Sequence, residues 1–431
     1  MKPFISGVPA RNADDRHPRR VLFVDHTATL GGGELAMLNL VRHLDRRRYD
    51  PSVLLFSTGN LNAKLAEAGV MCHVLPLDKS VLHARKNALG LGSVMRLMAV
   101  FRVIVHAFRV AAFVRRREID LIHANSLKAD VICGLARLFC RRPVIWHVRD
   151  RIARDYLPGP IVWVYRLLAR WIPTHVVANS EATLRTLRLD GSRRATVIYS
   201  GLEIAAKPAA CEEQTTSSRP LRIGLVGRIS RWKGQHVFIR AAREVRDRFS
   251  NAEFRIIGSA MFGEEAYEAE VRSLTRDLGL DGAVVFSGFR ADVGAAVAEL
   301  DLLVHASTSG EPFGQVVVQG MAAGKAVVAT NGGGIPEVVA NGVTGLLVPM
   351  GDHAAMARAI CDLLGDAELR GRMGRLGYER ALERFNIGRT VAGVEGVYRH
   401  ILAREDEGVA ATSVRGPWAW IRGRRIAGKR N

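Results

Sequence analysis

Short apolar runs alternate with longer amphipathic stretches along most of the 431 residues. The runs at 21–25, 52–56, 72–74, 121–124, 144–148, 175–178 and 195–199 are rich in Val, Ile, Leu and Phe. Continuous apolar runs of this length suit parallel strands covered on both faces. The first is followed by Gly31, Gly32 and Gly33, and then by Met37, Leu38, Leu40, Val41 and Leu44, the spacing of a one-sided helix over 34–44. A second series occupies 221–226, 253–257, 283–286, 302–305 and 326–329. Strand and helix in alternation build parallel sheets, so the pattern predicts an α/β chain of two doubly wound units.

Between the two series, 203–220 holds Lys207, Pro208 and a polar run, the composition of a linker. The predicted organisation is an N-terminal extension over 1–19, a first domain over 20–202, the linker, and a second domain over 221–385. A terminal helix over 386–405 packs back, and a basic tail covers 406–431. The length agrees, since a single core rarely serves so many residues. Open sheets of this kind bind ligands at the carboxyl ends of their strands, which directs attention to the loops there.

Charge changes the picture. The formal net charge is +20, which draws polyanions. Six arginines and no acid lie between Arg96 and Arg117, and six further cations without an acid lie from Ser413 onward. Both stretches mix cations with large apolar side chains, a mixture suited to an anionic membrane surface rather than a nucleic-acid groove. Over 95–114, Arg102 and Arg109 share a helical stripe with Arg116, while Leu97, Phe101, Ile104, Phe108 and Val110 cover the remainder. Packing of that face in the core is the alternative. Trp418, Trp420 and Ile421 beside Arg422, Arg424 and Arg425 have the same interfacial character. The five cysteines are scattered without metal or disulfide spacing, which predicts a reducing, cytoplasmic setting. No signal-peptide core or run of about 18 apolar residues is legible, so a peripheral place on the inner membrane face is expected.

Candidate chemistry sits at predicted strand ends. After 302–305 come Glu311, Pro312, Phe313, Gly314 and Gln315, with a helix predicted to start near Gly314. Amides at a helix N-terminus suit a diphosphate, and Glu311 could accept bonds from sugar hydroxyls. A capped helix with a solvated glutamate is the bland alternative. After 221–226 come Gly227, Arg228, Lys233 and Gly234. Arginine's planar fork and lysine's point charge both fit phosphate oxygens, although a solvated basic loop has the same composition.

Taken together, the glycines 31–33, the Gly227-Arg228 and Lys233-Gly234 pairs, the Glu311–Gly314 segment and the Gly334-Ile335-Pro336-Glu337 turn resemble the GT-B-fold retaining glycosyltransferases. The resemblance implies two Rossmann-like domains facing each other across a cleft. It implies that Arg228 and Lys233 hold the donor diphosphate, that Glu311 meets the donor sugar, and that the backbone of Phe313, Gly314 and Gln315 holds sugar and phosphate. Gly32, Gly33 and Gly227 then allow close backbone approach. His147, in Trp146-His147-Val148, matches the family's cleft histidine, with a structural histidine as the alternative. Where the family pattern places a second glutamate for the nucleotide ribose, this chain has Gln319.

The expected activity is transfer of a sugar from a nucleotide-diphosphate sugar to a glycan or lipid-linked acceptor in cell-envelope synthesis. Neither a resident cofactor nor a metal is expected, and nucleic acid is not an expected partner. Two rivals share the fold: an epimerase, and a membrane-associated sugar-nucleotide binder without turnover.

Overall fold

The computed structural model describes residues 17–78, 93–205, 219–261 and 263–414. The C-terminal segment with Trp418 and Trp420, most of the predicted linker and most of the N-terminal extension lie outside the described residues.

The first sheet is parallel throughout and comprises β1 (Arg19–Asp25), β2 (Tyr49–Leu55), β3 (Met71–Val74), β4 (Leu121–Ala124), β5 (Val144–Val148), β6 (His175–Ala178) and β7 (Ala195–Val197). Its order is β3-β2-β1-β4-β5-β6-β7. The intervening helices are α1 (Gly32–His43), α2 (Asn60–Glu67), α3 (Ser93–Arg116), α4 (Leu127–Cys140), α5 (Gly159–Trp171) and α6 (Glu181–Leu187). Val21, Leu22, Phe23 and Val24 are all fully buried, as expected when helices cover both faces of a parallel strand. Apolar side chains of α3, α4 and α5 pack on one face, while α1 and α2 pack on the other.

The second sheet, also parallel, comprises β8 (Arg222–Val226), β9 (Glu253–Ile257), β10 (Val284–Gly288), β11 (Leu302–His305), β12 (Ala326–Thr330) and β13 (Leu346–Val348), in the order β10-β9-β8-β11-β12-β13. Helices α7 (Gln235–Arg246), α8 (Glu265–Asp277), α9 (Val293–Ala298), α10 (Gln315–Ala322), α11 (Ile335–Val338), α12 (His353–Gly365) and α13 (Ala367–Arg384) accompany it. The edge strand β13 was not predicted; three residues carry too little pattern, and only pairing with β12 defines it.

In each sheet the strand order reverses beside the first strand, between β1 and β4 and between β8 and β11. That reversal opens a crevice at the carboxyl ends of the strands. The two predicted doubly wound domains are therefore present, and their crevices face each other.

The final helix, α14 (Ile387–Val414), extends beyond the predicted end at 405. It returns to the first domain, where Val394, Tyr398 and Ile401 are buried with α1 against the β1–β2 region. Burial of each such side chain contributes about 2 kcal/mol, enough to make α14 a firm strap. The two crossings between domains lie side by side: the Leu202 amide donates to the Phe385 carbonyl and the Ile387 amide to the Leu202 carbonyl, both at 2.8 Å.

Candidate active site

The second-domain half is built on β8 and β11. Beyond β8, Gly227 and Arg228 lead into a 3-10 turn over Arg231–Lys233 that ends at Gly234. Gly234 has φ +73°, and a Cβ there would collide with the Ala306 carbonyl beyond β11. This close approach presses the Lys233 turn onto the β11 loop. Lys233 Nζ consequently lies 2.9 Å from both carboxylate oxygens of Glu311, 78 positions away. The pair is largely enclosed, with 16% and 12% of the two side chains exposed.

Glu311 has further partners. Ser307 Oγ donates to its Oε2 at 3.0 Å, and His305 Nε2 lies 3.3 Å away. His305 is in turn held by Ser307 and by Thr330 Oγ1. Burial opposes ionisation of Glu311, but Lys233 and His305 outweigh it and hold the carboxyl well below its ordinary value. The sequence pointed to Glu311 and Lys233 individually; it did not indicate His305, Ser307 or Thr330. Their only signal was polar residues at or just beyond the ends of two apolar runs.

Helix α10 begins at Gln315, with Gly314 as its N-cap in a left-handed conformation. The Val317 amide already donates to the Gly314 carbonyl at 2.9 Å, so the amides of Gln315 and Val316 are the ones that precede the first helical bond, the usual origin of anion affinity at a helix start. The Phe313 side chain faces away from the crevice, stacked on Tyr199 and edge-on to Phe385. Gln319 lies on the next turn of α10 and is half-buried.

The first-domain half converges on Arg149. Its Nε donates to Asn125 Oδ1 and its Nη1 to Ser200 Oγ, each at 2.7 Å, and its Nη2 lies 3.3 Å from His147 Nδ1. Asn125 donates to Asp25 Oδ2 at 2.7 Å and to the Gly33 carbonyl at 3.3 Å. Burial pulls the Arg149 guanidinium down to about 10, against the attraction of Asp25 and Glu34. Glu34, in the first turn of α1, is pushed up to about 8 by burial and by Asp25 and Asp150. Gly32 and Gly33 form that first turn rather than the predicted loop, because the helix starts two residues earlier. A Cβ at Gly33 would lie 3.6 Å from Arg149 Cδ, whereas Gly32 faces open space.

His147 is wholly buried on β5. Its Nδ1 meets His123 Nε2 at 3.0 Å, and His123 Nδ1 meets Tyr398 Oη of α14 at 2.7 Å. Burial, Arg149 and His123 keep His147 neutral, well below its usual pKa. Its Nε2 has no hydrogen-bond partner among the described residues.

The halves touch around Glu311. Arg151 Nη1 donates to the Gly310 carbonyl at 3.1 Å, and Ser180 Oγ donates to the Pro312 carbonyl at 2.5 Å. Glu337 returns the contact, accepting from the amides of Glu181 and Ala182 at 2.8 and 2.7 Å, at the start of α6. First-domain side chains thus hold both carbonyls flanking Glu311. Chemically, the crevice combines cationic groups and helix amides on one wall with a buried carboxylate–arginine network on the other. It is suited to a polyanion whose other end carries hydroxyls.

Residues 31–201 match the glycosyl transferase 4-like domain, and residues 209–380 match the glycosyl transferases of group 1. The D-inositol 3-phosphate glycosyltransferase of Corynebacterium efficiens is 32% identical over 323 residues, covering 69% of this chain and 76% of that protein. The capsular polysaccharide biosynthesis glycosyltransferase CapM of Staphylococcus aureus is 23% identical over 355 residues, 78% of this chain and 91% of the relative. Among solved structures, Anabaena HepE in complex with UDP and glucose superposes with a TM-score of 0.73 at 29% identity, covering 88% of this chain and 99% of that one.

Proposed function

Because the chain belongs to the group 1 glycosyltransferases of GT-B fold, we propose that it transfers a sugar, with retained anomeric configuration, from a nucleoside-diphosphate sugar to a lipid-linked glycan. The observation that carries this reading is the enclosed Lys233–Glu311 pair at the strand ends, opposite the Arg149 network.

In this reading Arg228 and Lys233 take the diphosphate, and the first-turn amides of α10 add donors. Charge grows on the leaving phosphate as the sugar bond breaks, so cations already fixed in place stabilise the transition state more than the bound donor. This also supports turnover without a metal or resident cofactor. Glu311, kept ionised, accepts from sugar hydroxyls while Lys233 turns to phosphate. Gly227 and Gly33 leave room for the donor, and His147 offers its unpartnered Nε2. Gln319 offers the ribose an amide in place of a carboxylate. Uridine is the favoured base, supported by the UDP bound to HepE. The relative CapM supports a place in polysaccharide synthesis.

We further assign the enzyme to the inner face of an anionic membrane, where a lipid-linked acceptor resides. Support comes from α3, whose Phe101, Ile104 and Phe108 are exposed, whereas Val110 is in the core. No helix among the described residues is long and apolar enough to cross a bilayer.

Calorimetric titration with UDP, GDP and ADP tests the donor site. Selective binding of UDP, abolished in Arg228→Ala, is expected. Equal binding of all three, or none, overturns the assignment. Transfer of labelled sugar to a lipid extract, with the anomer read by NMR and the assay repeated with chelator, tests the reaction itself.

A further inference from the structure

The outer face of the first domain carries more exposed apolar surface than α3 alone. On α5, Val162, Tyr165 and Ala169 face the sheet, while Trp163 and Trp171 are 66% and 67% exposed, together with Val164 and Leu167. Positions 163, 164, 167 and 171 fall on one helical stripe. On α4, Leu138 is likewise exposed. These are adjoining surfaces. Phe108 of α3 stacks on Phe139 of α4 at 3.9 Å, and Arg137 of α4 donates to the Ile172 carbonyl at the end of α5. A soluble monomer rarely leaves so broad an apolar area open, and two outward-facing indoles are characteristic of interfacial anchoring.

The exposed charge on the three helices has one sign: Asp130 of α4 is wholly buried, and the flanking acids Glu118 and Asp155 are paired with Arg20 and Arg151. No acid occurs over 93–117, 131–149 or 156–180. Arg109, Arg115, Arg116, Arg141 and Arg142 are exposed. Among the described residues, Asp78 meets α3 in an ion pair, taken up by Arg102 at 3.2 Å. A second copy of the chain docked on the same face would set arginines against arginines, since a two-fold interface pairs a surface with itself. An anionic surface is the complementary partner.

Building on the membrane assignment above, we propose that α3, α4 and α5 form one docking surface for an anionic lipid bilayer, with Trp163 and Trp171 as its anchors. Helices in a parallel α/β domain begin at the edge where strands end, so the starts of α3 and α5 lie on the crevice side of the domain. The loop leading into α5 carries Arg151, which crosses to Gly310. Docking on this face therefore sets the crevice beside the headgroup layer, within reach of an acceptor whose lipid stays in the bilayer.

The test uses the full chain and two kinds of vesicle, phosphatidylcholine alone and phosphatidylcholine mixed with phosphatidylglycerol. Wild type is expected to co-sediment with the mixed vesicles. The double variant Trp163→Ser/Trp171→Ser is expected to bind them at least about tenfold more weakly, since interfacial affinity scales with the apolar area inserted. These side chains are exposed, so its thermal melt and UDP affinity remain those of wild type. Unchanged vesicle binding by the double variant, with Phe101→Ser weakened, overturns the three-helix surface and leaves docking to α3. No binding by wild type overturns the membrane assignment as well. A wild-type dimer in sedimentation velocity that the double variant abolishes, with vesicle binding intact, assigns the face to a second copy and overturns the proposal.

Discussion

Lys233 and Glu311 show how a paired charge differs from a solvated one. Replacing Lys233 by Met leaves a buried carboxylate with His305 and Ser307 as its remaining side-chain partners among the described residues, and breaking such a pair costs about 3 kcal/mol. Urea denaturation is expected to show that loss, together with abolished UDP binding. A stability matching wild type would mean that Glu311 is compensated by its other partners. Glu34 makes a prediction of opposite electrostatic character. Its pKa rises on folding, from 4.5 to about 8, so the folded chain holds a proton that the unfolded chain has released. Stability from this group is complete at the acid end of that window and falls as the pH rises through it. Glu34→Gln, permanently neutral, should flatten the fall in urea midpoint between those limits. A slope equal to wild type would assign the titration to another group. None of this was legible along the chain. Asp25 and Asn125 stand 100 positions apart, and nothing around either residue announces the other.

Helix α10 illustrates what a single element contributes. Its start depends on Gly314, whose φ of +100° lies in the region other residues avoid, and a Cβ there would collide with Ile335 of α11. Gly314→Ala is expected to cost about 2 kcal/mol in backbone strain alone. Displacing the first turn should also weaken UDP binding more than it lowers the melting temperature. Equal effects on both would reduce α10 to a structural element. The helix was predictable because glycine, the start of an apolar periodicity and a preceding strand coincide within a dozen residues. The start of α1 was misplaced by two residues for the converse reason: three glycines carry no side-chain pattern. Only packing beside Arg149 shows that Gly33 already lies in the helix.

The two domains meet through contacts that converge on the Glu311 loop, so the site depends on how the domains sit together. Glu337 of the second domain caps α6 of the first, and its charge helps raise the pKa of Tyr199 near the crossing, after burial. Glu337→Ala removes those bonds without touching Lys233 or Glu311. The expected outcome is a larger radius of gyration in small-angle scattering and a reduced kcat at nearly unchanged donor KM. An unaltered radius and rate would show that Arg151 and Ser180 suffice to hold the loop. α14 works at the same level. By burying Tyr398 beside His123 and His147, it places a residue from the end of the chain behind the first-domain wall.

What the sequence determined by itself was the alternation of strand and helix, the division into two parallel sheets, and the strand-end loops that carry Gly227, Lys233, Glu311 and Gly314. Each of these is a local property: periodicity of burial, glycine where the backbone turns, charge beside a strand end. The tertiary structure alone decided that Lys233 pairs with Glu311, that Arg149 gathers Asn125, Ser200 and His147, and that the domains grip the loop around Glu311. It also decided that α5 turns its tryptophans outward beside α3. Those facts depend on which distant segments are brought within a few ångströms of each other. The sheet order sets that juxtaposition, and no single stretch of chain encodes it.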